Sequence, residues 1–223
     1  MTEALTQGTA EAFFPLIANL HTQAEPSWCG LGTLVTMLNA LQIDPGRVWK
    51  GPWRWFGEEL LTCCKSLDET TADGVTLAEV ACLARCNGAT VAHHHAEGDG
   101  LATFRADLNR SVRAPAGPFV IASYHRGSLG QTGSGHFSPL GAWHEGSDQV
   151  LVLDVARFKY PPHWVPVDLL WQAMQPVDST SGRPRGWMTM DCSPQPLRPD
   201  PEDTRALTDR LSALGVSCPP SPH

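Results

Sequence analysis

Positive charge is scarce in this chain: 16 Lys and Arg stand against 23 Asp and Glu, a net charge of −7 over 223 residues. A surface with that balance repels phosphate, which argues against nucleic acid or an anionic membrane as a general partner. No apolar run is long enough to span a bilayer, and the N-terminus has neither the basic nor the apolar region of a secretory signal. No segment repeats, and no glycine-rich loop is built for a nucleotide phosphate. The seven cysteines include no CxxC pair of the closed zinc type. These absences lead to an expectation of a cytoplasmic protein, with no nucleic acid and no membrane as partner, whose cysteines are thiols rather than disulfides.

What is present is globular: 42% of residues are hydrophobic and 17% charged, over a length that suits one large domain or two lobes. The most informative stretch is 23–39, where Pro26 and Ser27 punctuate a loop, Cys29-Gly30 follow, and Leu31, Leu34, Val35 and Leu38 recur at helical spacing. A cysteine at a helix start meets unpaired N–H groups and the positive end of the helix dipole, which favour the thiolate. A lone cysteine is more often a small buried hydrophobe. Gln23, six residues upstream, tips the reading, because its amide can join the Cys29 N–H in stabilising an oxyanion. Cys29 is therefore the candidate nucleophile.

Along the rest of the chain, a short amphipathic helix is expected around Phe13–Leu20, and the Cys29 helix stops before the turn Asp44-Pro45-Gly46. Indoles interleaved with Lys and Arg in Trp49–Phe56 can stack on bases, but the negative balance makes structural packing the preferred reading. Helices are expected over 57–68, 77–86 and 101–112. Cys63, Cys64, Cys82 and Cys86 then read as buried or incidental thiols, and His93-His94-His95 as a loop tract. Neither group is assigned a role, and a protein metal site stays unassigned. Strands follow at 119–124, 136–143 and 149–155, the last two joined by a turn at 145–148. His136 and Asp154 lie symmetrically about that turn, so they are expected to face each other as base and orienting carboxylate. A rigid loop at 160–164, a helix from Pro166 to Met174 and a closing strand at 185–190 complete the core. A Pro-rich tail with one helix near Leu207–Leu214 is expected after it.

Cys29, His136 and Asp154 occur in the order of a papain-like triad, in which the histidine draws the thiol proton and the carboxylate fixes its tautomer. The segments 23–39, 41–56 (LQIDPGRVWKGPWRWF), 123–141 (SYHRGSLGQTGSGHFSPLG) and 153–165 (LDVARFKYPPHWV) go further and resemble phytochelatin synthase. The resemblance implies an α+β, papain-like fold: a helical lobe carrying the nucleophile, packed on an antiparallel β-sheet lobe carrying His and Asp. It implies a catalytic domain over 1–191 and an appendage over 192–223. It also implies a glutathione γ-glutamylcysteinyltransferase that makes phytochelatins through an acyl-enzyme, dependent on heavy metal and serving metal detoxification. On this likeness Cys29 is the nucleophile, His136 the base, Asp154 the orienting acid and Gln23 the oxyanion donor. Asp178 and Arg185 would hold the donor glutathione, with Gly135 beside them, and Arg126 and Arg157 would lie near the acceptor. Partners are glutathione and phytochelatin peptides, in a homodimer. No organic cofactor is implied, and cadmium, zinc or copper would enter as a glutathione thiolate. The alternatives are a glutathione hydrolase releasing glycine and γ-Glu-Cys, and a non-enzymatic thiol protein that sequesters metal. Ala24 and Trp28 depart from the plant-type pattern of Ser and Tyr, and the Cys-rich C-terminal region of longer members is missing.

Overall fold

Strand β2 (Phe119–His125) is buried along nearly its whole length, and its alternate side chains enter two different cores. Phe119 and Ile121 join one cluster and Val120, Ala122 and Tyr124 the other, as the two-residue strand period requires when both sheet faces are covered. The computed structural model describes residues 1–192, so the expected 207–214 helix and all of the tail but Cys192 lie outside the described residues.

The sheet is six-stranded and antiparallel throughout. Its members besides β2 are β1 (Ala89–His95), β3 (Gly135–His144), β4 (Gln149–Val152), β5 (His163–Pro166) and β8 (Gly186–Cys192). Their order is β1-β8-β2-β3-β4-β5. Two-residue strands β6 (Val177–Asp178) and β7 (Arg183–Pro184) pair separately. The expected α+β class holds, with three local corrections. The 185–190 strand does not close the sheet but slots between β1 and β2. The 160–164 loop gives way to β5 at His163. The histidine tract is the end of edge strand β1, where His94 stacks on Trp187 at 4.9 Å and His95 Nδ1 contacts Pro184 O at 2.6 Å.

Helix α3 (Cys29–Ala40) is buried at every position, lying between the sheet and its neighbours α2 (Phe13–Ala18) and α5 (Leu77–Cys86). A helix that is apolar or small all round is a core helix. Thr33 Oγ1 donates to Phe137 O at 3.1 Å, pinning α3 to β3. The opposite face is covered by α6 (Leu101–Val112) and α7 (Val167–Met174), whose Phe104 and Trp171 pack with Trp187. At the N-terminus a short α1 (Thr2–Thr6) precedes α2.

Residues 57–68 are not one helix. A 3-10 turn spans Glu58–Leu60, and α4 (Leu67–Asp73) starts at a Ser66–Glu69 capping box. A second box, Thr76–Glu79, starts α5. The stretch just before α4 is cross-linked to α5: Cys63 is bonded to Cys86 and Cys64 to Cys82. This corrects the expectation of thiols throughout. Sequence spacing of the four cysteines carried no sign of it, because disulfide pairing depends on Cα separations of about 4.4–6.8 Å that only the fold creates.

Residues 44–55 belong to a second unit, distinct from 1–43 and 56–192. Within it Arg54 pairs with Asp44 at 2.9 Å, and Lys50 and Trp53 form a bridge. Trp49, Trp53 and Trp55 are exposed there, rather than packed as expected. Among the described residues no helix is long and apolar enough to cross a membrane.

Candidate active site

Cys29 is the first residue of α3, and no side chain caps that helix. Its first intrahelical bond runs from Gly32 N to Trp28 O at 2.9 Å, so the Cys29 N–H has no acceptor within the helix. α4 and α5, by contrast, spend their first N–H groups on capping boxes. The absence of a cap leaves a donor beside the thiol where an oxyanion would form.

His136, at the start of β3, and Asp154, two residues past the end of β4, meet at 2.8 Å between Nε2 and Oδ1. They do not meet by simple register. Leu140 pairs with Val152 and Ala142 with Leu151, so the ladder shifts at Gly141, and Leu153 N still bonds Pro139 O at 3.0 Å. That register would set Asp154 opposite Ser138. The carboxylate reaches His136 because the chain leaves the sheet there, with Asp154 Oδ1 capping Ala156 N at 2.9 Å.

With Nε2 spent on Asp154, Nδ1 is the imidazole nitrogen left for the thiol. Burial by itself pushes the Cys29 thiol up, but the charge and hydrogen bond of His136, a backbone hydrogen bond from Phe137 and the charge of Arg126 outweigh it. The thiol is held below its ordinary range. Burial likewise pulls His136 down, yet the Cys29 charge and the hydrogen bonds to Asp154 and Cys29 raise it overall. Asp154 is fully enclosed; burial would lift it, and His136 and then Arg126 hold it well below the carboxylate range. A thiolate beside an imidazolium, oriented by a carboxylate, is a nucleophile for acyl transfer.

The phytochelatin synthase family model matches residues 1–187. A glutathione gamma-glutamylcysteinyltransferase of Lotus japonicus is 53% identical over 186 residues, 83% of this chain and 39% of its own length. One from Arabidopsis thaliana is 49% identical over the same share of this chain, and one from Schizosaccharomyces pombe 45% identical over 87% of it. The chain belongs to the phytochelatin synthase family. It spans about two fifths of the length of the plant relatives (39% and 38%) and 47% of the yeast one. Among solved structures, a double glycine motif protease from an AMS/PCAT transporter aligns at TM-score 0.46 and 14% identity, over 78% of this chain and 91% of that one, a likeness that adds nothing to the assignment.

Two cavities adjoin the Cys29–His136 pair. One of about 370 Å³ is lined by Cys29, Ser27, Val75, Ser123, Gly135, Asp178 and Arg185. Arg185 is buried, with Nη2 3.6 Å from Asp178 Oδ1 and Nη1 donating to Pro176 O at 3.0 Å. Gly30 allows this wall to approach the helix: a Cβ there would lie 2.3 Å from Val75 Cγ2. The second cavity, about 230 Å³, is lined by Gln23, Arg126, His136, Phe158 and Lys159. Arg157 is exposed and lines neither cavity.

Gln23 stands at the site, but its Nε2 donates to Glu25 O at 2.8 Å and Pro26 O at 3.0 Å, and its buried Oε1 has no partner. Donation to an oxyanion requires the amide to exchange one of those carbonyl bonds for substrate. Arg126 is only 3% exposed. Its Nη2 donates to Asp154 Oδ1 at 3.0 Å and lies 2.9 Å from His136 Nε2, while Nη1 lies 2.9 Å from Asp154 Oδ2. The Nη1–Oδ2 contact is an ion pair out of hydrogen-bond alignment, which leaves Oδ2 without a hydrogen-bond partner. Nη1 also donates to Gln131 Oε1 at 2.6 Å, and the guanidinium lies over the Tyr160 ring at 4.9 Å. Sequence reasoning missed this union of Arg126 with Asp154, since nothing in a spacing of 28 residues marks it. Lys159 was missed too, and the signal available was its place in the basic run Arg157-Phe158-Lys159 just beyond the triad acid.

Proposed function

We infer that this chain transfers γ-glutamylcysteine from one glutathione to another, building phytochelatins through a Cys29 acyl-enzyme. The observation that carries the reading is the lowered Cys29 thiol beside His136, in a cavity that Arg185 and Asp178 also line. Arg185 suits the α-carboxylate of a γ-glutamyl group and Asp178 its ammonium. The Cys29 thiolate attacks the Cys–Gly carbonyl, and the Cys29 N–H, joined by Gln23 once its amide turns, holds the oxyanion. His136 passes its proton to the departing glycine amine, leaving a thioester. The α-amine of a second glutathione enters from the side of Arg126 and Lys159, gives its proton to His136 and takes the acyl group.

Heavy metal enters this reading as substrate, bound to glutathione sulfur, since soft ions favour thiolates. Among the described residues Cys63, Cys64 and Cys86 place their sulfurs within 4.8 Å of one another, but each is spent in a disulfide and offers no thiolate. The test is incubation with glutathione, with and without cadmium, separating glycine, γ-Glu-Cys and longer peptides. Longer peptides are expected, and S-methylglutathione should polymerise without added metal because its sulfur is already capped. Glycine with γ-Glu-Cys alone would make the chain a hydrolase, and no glycine at all would remove the acyl-enzyme.

A further inference from the structure

Among the described residues the mechanism leaves two buried acidic groups unused, Asp107, which is spent on Trp187 and Arg110, and Glu58. Glu58, at the start of the 3-10 turn, is 4% exposed and lines neither cavity. Its carboxylate accepts from Ala24 N at 3.1 Å (Oε2) and 3.4 Å (Oε1), and His21 Nε2 lies 3.5 Å from Oε2. Ala24 directly follows Gln23.

The segment 21–24 is held by three bonds, one of them to the nucleophile helix. His21 N donates to Thr36 Oγ1 at 3.1 Å, Gln23 N to Val155 O at 3.0 Å beside the triad acid, and Ala24 N to Glu58. Gly32 of α3 makes the close approach possible. A Cβ there would lie 3.1 Å from Glu58 Oε1, 3.2 Å from Gln23 Cβ and 3.3 Å from Gln23 Cα. Glycine in mid-helix costs roughly 1 kcal/mol against alanine, and here it gives room to the turn and the carboxylate together.

We propose that Glu58 is a positioning residue, whose carboxylate fixes the Gln23–Ala24 turn against α3 so that Gln23 can complete the oxyanion site. Both carboxyl oxygens lie within reach of Ala24 N, which suits a turn that must stay in place while the Gln23 amide changes partners. Glu58 touches neither Cys29 nor His136, so it bears on the oxyanion and not on formation of the thiolate. The proposal rests on the acyl-enzyme reading above for Gln23's role.

The experiment is a cycle of Glu58→Ala, Gln23→Ala and the double variant, with Glu58→Gln as the conservative change. Three quantities are read: glycine release from glutathione, acylation by p-nitrophenyl acetate, and the rate at which iodoacetamide alkylates Cys29. Loss of one oxyanion donor costs about 10²–10³ in rate, so Glu58→Ala should lower kcat by roughly tenfold or more, with KM held within about twofold. Alkylation should stay within about twofold of wild type, Glu58→Gln should recover part of the loss, and the double variant should be no slower than Gln23→Ala. Multiplying losses in the double variant, alkylation slowed in step with kcat, or unchanged kcat in Glu58→Ala would each overturn the role. Should Glu58→Ala not fold, Glu58→Gln in the same cycle decides. If the wild type releases no glycine, the transferase reading fails by itself, and the ester cycle still decides whether Glu58 acts through Gln23.

Discussion

Replacing Arg126 by Met separates two accounts of that residue. As a contact for the acceptor glutathione, which the resemblance implies, its loss would raise the acceptor KM and leave the free enzyme intact. The structure gives it a heavier duty. Both partners of the Arg126–Asp154 pair are under 5% exposed, the distances are 2.9 and 3.0 Å, and the same guanidinium nitrogen lies 2.9 Å from His136. Removing one partner of such a pair leaves a buried charge and costs about 3–5 kcal/mol, a large part of the ~5–15 kcal/mol that holds a typical domain. Arg126→Met should therefore lower stability in urea by about 3 kcal/mol or more. It should also raise the pH midpoint of Cys29 alkylation, because Arg126 is one of the charges that depress the thiol. Adding Asp154→Asn removes the stranded charge, so the double variant should lose less stability than the two single losses added, by roughly 1–3 kcal/mol. Additive losses, an unmoved alkylation midpoint and a defect confined to acceptor KM would together refute the electrostatic account.

Four further outcomes follow from the same geometry. Cys29→Ser should abolish glycine release while the exposed Cys192→Ser leaves it near wild type, read by amino-acid analysis of the products. Thiolate and imidazolium coexist only above the lowered Cys29 value and below the raised His136 value, so kcat/KM should fall on the acid side as the thiolate gains a proton. It should fall on the alkaline side as His136 loses one, above the ordinary histidine value of about 6.5. Asp154 is depressed on folding, so its contribution to stability is complete above the ordinary carboxylate value of about 4. That contribution should disappear in urea titrations as pH drops from there toward its folded value. Reducing the cross-links, which close separations of 23 and 18 residues, should cost up to about 3 kcal/mol each and lower the melting midpoint, with Cys63→Ser/Cys64→Ser showing the same midpoint with or without reductant.

The sequence was most legible where local rules and tertiary structure agree. The apolar period after Cys29 marks α3 because that helix is buried all round, and the β-rich run 119–124 marks β2, whose two faces each meet their own core. Legibility failed where the deciding force is non-local. His93–His95 looks like a polar loop by composition, yet pairing with Met188–Gly186 and the stack of His94 on Trp187 hold it as a strand. Residues 57–68 have helical composition, but Ser66 is a better helix start than an interior residue, and the capping box moves the beginning of the helix to Leu67. The two disulfides and the burial of Arg126 are likewise products of the fold, invisible to spacing.

A consequence for the site follows from these failures. Reading along the chain picked out Cys29, His136 and Asp154 as candidate nucleophile, base and carboxylate by residue type and order, and the fold brings the three together. It did not find the groups that hold them, because Arg126, Glu58 and Thr33 act across 28, 34 and 104 residues of sequence. Those three contacts tie the orienting acid, the oxyanion turn and the nucleophile helix to separate elements of the fold. A 1 Å error in any one of them costs more rate than most surface substitutions, since the reacting atoms must be held within a few tenths of an ångström. Holding groups need only charge, length and a route through the interior, so many sequences satisfy them and none signals them. For the proposed reaction, the candidate reacting groups are written locally and their placement non-locally, and variants at the holding positions are where the two can be measured apart.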